Sequence, residues 1–143
     1  MFLKHQSPDE RLAAWRAVRQ ASHETVEQVL EEFAPIKIVP RYIDYFTPKS
    51  WPNVFDIVKE GYFCQSGVTL IMTATLVHKK FITTEDLTFA VISNHINGND
   101  GLVLIHQNSA YNFLPGKIVS TQEVKDNSTQ FGSHTIAVDQ LFS

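Results

Sequence analysis

Hydrophobic positions change their period once along this chain. From residue 8 to about residue 80 they recur at helical spacing, and after Thr84 they alternate in twos. Ser7-Pro8-Asp9-Glu10 predicts a helix start, with a Ser cap, Pro at the first helical position and Glu placed to close a capping box. Leu12, Trp15, Val18 and Ala21 follow on that helix. Ser22 reads as a second cap, because Val26, Val29, Leu30 and Phe33 beyond it fall at i, i+3, i+4 and i+7. The first helix is charged by Arg11, Arg16 and Arg19, the second by Glu24, Glu27, Glu31 and Glu32. That complementarity predicts an antiparallel helical hairpin over residues 1–34, with the outer faces solvated.

Residues 35–50 hold three of the six prolines together with Tyr42, Tyr45 and Phe46, which predicts extended, irregular backbone with a short strand near Ile36 to Val39. Two helices are predicted over 51–80. Ser50 reads as the cap of the first, which ends at Gly61. The second runs from about Ser66 to His78 and is apolar nearly all round, through Val68, Leu70, Ile71, Met72, Ala74, Leu76 and Val77. Such a helix belongs in the middle of a domain. Residues 85–143 read as an antiparallel sheet, with strands at Leu87 to Ser93, Leu102 to His106, Tyr111 to Leu114, Lys117 to Ser120 and His134 to Asp139. Asn97-Gly98-Asn99-Asp100-Gly101 and Gln107-Asn108-Ser109 are the hairpin turns, and Thr121 to Asp126 reads as a short helix. Helices first and a meander afterwards predict an α+β fold, with a buried central helix and a mostly antiparallel sheet of four to five strands, in one domain spanning 1–143.

Composition narrows the function classes. Of 143 residues, 43% are hydrophobic and 19% charged, the balance of an ordinary folded protein. A net charge of −3 provides no basic field for nucleic acid. The apolar run around Val68 to Val77 is too short for a bilayer, and the first residues lack the apolar core of a signal peptide. One cysteine suits a reducing compartment. The expectation is a soluble cytoplasmic protein with no membrane or nucleic-acid partner and no cofactor. His78, His95, His106 and His134 are scattered, so no metal site is expected.

The single thiol is the most specific chemical feature. Cys64 immediately precedes the apolar helix, where unpaired amides favour negative charge. Two readings stay open, a small packed hydrophobe and a nucleophile, and burial is the commoner fate. A nucleophile needs a histidine within hydrogen-bond reach and a polar group to orient it. The sheet offers His95, His106 and Asn112. From Phe63 to Gly116, the order cysteine-helix followed by three strands resembles the transglutaminase-like core, and more distantly papain-like enzymes. Cys64 and Asn112 stand at matching places. That family usually opens the strand before its Asn/Asp with a histidine, where this chain has Asp100-Gly101-Leu102. The resemblance implies a cysteine hydrolase or acyltransferase using Cys64, with His95 or His106 and Asn112.

Ser50-Trp51-Pro52-Asn53-Val54-Phe55-Asp56 followed by Phe63-Cys64 is also similar to small uncharacterised proteins of tailed bacteriophages. That likeness implies a viral protein in the host cytoplasm and brings no activity with it. With the histidines misplaced for catalysis, the leading expectation is a non-catalytic interaction protein. It would bind a host or virion protein through Tyr42, Tyr45, Phe46 and Trp51, since aromatic side chains are favoured interface anchors.

Overall fold

The computed structural model describes residues 7–40 and 43–143. Its elements run α1 (Pro8–Gln20), α2 (Val26–Glu31), a 3-10 turn (Pro48–Ser50), α3 (Val54–Glu60), α4 (Gln65–His78), β1 (Asp86–Asn94), β2 (Asp100–His106), β3 (Ser109–Tyr111), β4 (Ile118–Ser120), α5 (Thr121–Asn127), β5 (Ser128–Ala137) and a second 3-10 turn (Val138–Phe142). All strand pairs are antiparallel, in the order β4-β3-β2-β1-β5. The α+β class read from the change of period is the class observed.

Capping explains where the helices begin. Ser7 caps α1 by accepting from the Glu10 amide at 3.0 Å. The cap of α2 is Thr25, not Ser22. It forms a reciprocal box with Gln28, because Gln28 supplies the third-position acceptor that Ser22 has no partner for. Asn53, not Ser50, caps α3, while Ser50 ends the 3-10 turn and its hydroxyl donates to the Thr47 carbonyl. α1 packs chiefly on α3, and α2 on α4. Shared contact with the central helices, not the charge pattern, therefore positions the two N-terminal helices.

α4 is the hub. Every residue from Ser66 to Leu76 is buried. Its threonines are satisfied from within: Thr73 Oγ1 donates to the Thr69 carbonyl at 2.7 Å, and Thr75 Oγ1 to the Ile71 carbonyl at 2.8 Å. Such back-bonds let polar residues go inside without leaving a donor unmet. The sheet then buries both faces. Leu87, Phe89, Val91, Leu102 and Leu104 face the core around α4. Ala90, Ile92 and Val103 alternate with them and pack with Phe113 and Val124 on the opposite face.

Several strand readings need correction. Ile36 to Val39 is extended but joins no strand of the sheet, and the Val39 amide donates to the Phe63 carbonyl instead. β3 spans Ser109–Tyr111 where a strand over Tyr111 to Leu114 was expected, because Asn112 turns the chain at φ 70. β5 begins at Ser128, six residues before the predicted His134, and gives way at Val138 to the 3-10 turn. Its first half is too polar to show alternation, since an exposed edge strand need bury little. β1 and β2 each reach slightly beyond their predicted ends.

Candidate functional site

Cys64 is the N-cap of α4. Its backbone is extended (φ −80, ψ 168), and its Sγ accepts from the Gly67 amide at 3.4 Å. Sulfur does here what Ser, Thr, Asp or Asn usually does at a helix start. The residue is 2% exposed. Its remaining surface opens on a cleft of about 280 Å³, whose walls include Val39, Tyr45, Ser66, Asn99 and Asp100. Burial and access to a cleft therefore coexist at this sulfur, where the two sequence readings opposed them.

Next to it, Gln65 fastens the start of α4 to the sheet. Its Nε2 donates to the Leu102 carbonyl at 2.8 Å and to the Asn112 carbonyl at 3.2 Å. Ser66 Oγ accepts from the Leu102 amide at 3.2 Å, and Thr69 Oγ1 donates to the Leu102 carbonyl at 2.8 Å. Asn112, which is buried, donates from Nδ2 to Thr69 Oγ1 at 2.8 Å. Asn94 closes the network on the far side by donating to the Phe113 carbonyl at 2.8 Å. Cys64 and Asn112 thus stand at either side of one polar cluster, joined through Gln65 and Thr69.

The backbone of β2 passes this cluster at Gly101. A Cβ on Gly101 would lie 2.0 Å from Gln65 Oε1 and 2.8 Å from Ser66 Oγ, and the residue has φ +157. Only glycine fits there without displacing Gln65. Gln65 Oε1 is itself buried and has no hydrogen-bond partner among the described residues.

Neither candidate histidine joins Cys64. His95 is turned toward β5: its amide donates to the Asn127 carbonyl, and its ring pairs with Thr129 Oγ1 at 2.8 Å. His106 is at the opposite end of β2 from Gly101, about 16 Å away at the rise of an extended strand, with its ring centroid 6.3 Å from that of Tyr111. Among the described residues there is no group of three His, Cys, Asp or Glu side chains able to hold a metal, and no helix is long and apolar enough to cross a membrane.

The aromatic candidates separate as well. Tyr45 is 7% exposed and belongs to the core. Trp51 packs edge-on to Phe89 at 5.8 Å, and its Nε1 donates to the Asp44 carbonyl at 2.9 Å. Phe46 is open to solvent, and Tyr42 lies outside the described residues. Sequence reasoning missed Gln65, Ser66, Thr69 and Asn94. The available signal was the departure at Asp100-Gly101-Leu102, since a glycine opening a strand marks a close approach by another group.

The chain superposes on Legionella pneumophila LapG. The calcium-bound form matches with a TM-score of 0.65 at 15% identity, over 91% of this chain and 77% of LapG. A second LapG structure gives 0.64 at 16% identity over 91% and 77%. The EGTA-treated form gives 0.62 at 16% over 91% and 75%. At these identities the likeness is one of fold. It agrees with the α+β order of helices and strands read from the sequence, and none of these neighbours is a bacteriophage protein. No family model matches the sequence, and no curated relative does.

Proposed function

We propose that this chain is a transglutaminase-like protein whose Cys64 cleft holds an extended polypeptide segment without cleaving it. The fold likeness to LapG, a transglutaminase-like cysteine protease, supports placing the functional cleft at Cys64. One observation carries the absence of turnover: at Gly101 a side chain of Gln65 fills the space beside β2. Among the described residues no hydrogen bond joins a histidine to the sulfur, whose contact is the Gly67 amide, so a thiol attack lacks a paired base to take its proton. The cleft still offers hydrogen-bonding groups from Ser66, Asn99 and Asp100 beside the apolar Val39 and Tyr45, the mixture that an extended peptide requires. The phage origin has no support from these neighbours and forms no part of the proposal.

A second reading, a cysteine hydrolase or acyltransferase using Cys64, is favoured by the opening of that residue onto a cleft rather than into closed core. One experiment separates the two. The full chain is incubated with fluorescein-labelled casein, with retention and fragment release followed together, while intact mass records iodoacetamide capture by Cys64 at neutral pH. The binding reading expects retention without fragments, loss of retention in Asn99→Trp, which fills the cleft, and labelling no faster than a free thiol. Casein fragments that disappear in Cys64→Ala would overturn it in favour of the hydrolase, and absence of retention would sink the peptide cleft itself.

A further inference from the structure

β5 is the open edge of the sheet. Its ten residues, Ser128–Ala137, include no Asp, Glu, Lys, Arg or Pro. Thr129 to Ser133 are all exposed. Sheets usually blunt such an edge with charge, proline, shortness or a bulge; of these β5 has only a bulge, whereas the other edge, β4, has only three residues. Among the described residues no further strand lies beyond β5.

The middle of this edge is aromatic. The register moves from Val91↔Gly132 to Ile92↔Gln130, so Phe131 is the extra residue of a bulge. It is 53% exposed, as is Phe46, and the two ring centroids are 6.3 Å apart. Two half-exposed rings beside unpaired backbone form a seat for an apolar side chain on an added strand.

The ends of the edge are acidic. Asp86 pairs with Ala137, the Glu85 carbonyl accepts from the Val138 amide, and Asp139 follows. Glu123 and Asp126 precede the strand on α5, with Lys125 as the cation among them. A second copy docking antiparallel would bring one acidic end against the other, which opposes self-pairing. A strand with cations at its ends meets complementary charge at both.

We propose that the β5 edge receives an extended segment of another protein, apolar at its centre and basic at its ends, added to the sheet as a sixth strand. The surface adjoins the Cys64 cleft through the Phe46–Tyr45 ring contact, 4.9 Å between centroids, but the proposal does not rest on the reading of that cleft. A fluorescein-labelled peptide, acetyl-Lys-Lys-Thr-Val-Phe-Val-Thr-Lys-Lys-amide, titrated with the full chain by anisotropy, provides the test. Saturable binding is expected, weaker in high salt and at least about tenfold weaker, or 1.4 kcal/mol, in Phe131→Lys. Ser133→Lys is a second variant of the same edge, and circular dichroism establishes that each is folded. Tyr62→Ser, at an exposed aromatic away from the edge, leaves binding unchanged, and a peptide with Glu in place of Lys binds far less. No saturable binding, or binding that survives both edge variants, overturns the proposal. Sedimentation showing a dimer that Phe131→Lys dissolves would also overturn it, by giving the edge to a second copy.

Discussion

Asn112 holds Thr69 across the boundary between sheet and helix, Nδ2 to Oγ1 at 2.8 Å, from a backbone at φ 70. Two requirements meet in one residue: a donor aimed at α4, and a side chain that tolerates the left-handed region. Asn112→Ala meets neither and is expected to lose about 1–3 kcal/mol of unfolding free energy. Asn112→Gly relieves the backbone and should lose less. Urea unfolding of the two variants checks the order, and an Ala variant as stable as the parent would remove the argument.

Trp15 Nε1 donates to Thr75 Oγ1 at 3.0 Å with both residues fully buried. Thr75→Val keeps the shape but leaves an indole N–H without an acceptor, a cost of about 1–3 kcal/mol. Thr75→Ser keeps the acceptor and should fall between the parent and the Val variant. Guanidinium unfolding followed by tryptophan fluorescence reads both.

Gly61 ends α3 at φ 76, and a Cβ there would lie 2.7 Å from Arg11 Cζ. Arg11 meanwhile donates to the carbonyls of Val58 and Lys59, the last turn of the helix. Gly61→Ala combines left-handed strain with displacement of those charge-assisted bonds, and about 2–4 kcal/mol of destabilisation is expected. If thermal unfolding of this variant matches the parent, the guanidinium does not anchor α3 to α1.

Burial pushes the Tyr111 hydroxyl above its ordinary pKa, and the Glu27 carboxylate adds to the shift. The folded state therefore binds this proton more tightly than the unfolded state. The stability involved is fully present below the unfolded value, about 10, and is lost as pH rises through the higher folded value. Stability measured from neutral pH upward should fall beyond about pH 10, and Tyr111→Phe should shrink that fall. An unchanged alkaline slope in the variant would assign the loss to other groups.

How much was legible in the sequence follows from how local each signal is. α4 could be read because its apolar residues leave no polar stripe, and β1 and β2 because Leu87, Phe89, Val91, Leu102 and Leu104 alternate inward. The cap of α2 was missed because Ser22 and Thr25 carry similar hydroxyls, and only the answering amide of Gln28 distinguishes them. The first half of β5 was missed because its pairing is carried by backbone and its side chains face water. In the candidate site, Cys64 and Asn112 were found by type and order. Gln65 was not, because its role depends on a glycine thirty-six positions later that makes room for its amide.

The hydroxyls of α4 have a dynamic consequence. Thr73 and Thr75 are bonded to their own helix, and Thr69 binds the Leu102 carbonyl of the sheet. Breathing of this helix would strip several buried donors of their acceptors at once, so its amides should be among the last in the chain to exchange with solvent deuterium. The floor beneath Cys64 is then a fixed anvil. If an extended chain binds as proposed, adjustment to it is expected at the solvent-exposed Gly98-Asn99-Asp100 rim and not at the sulfur.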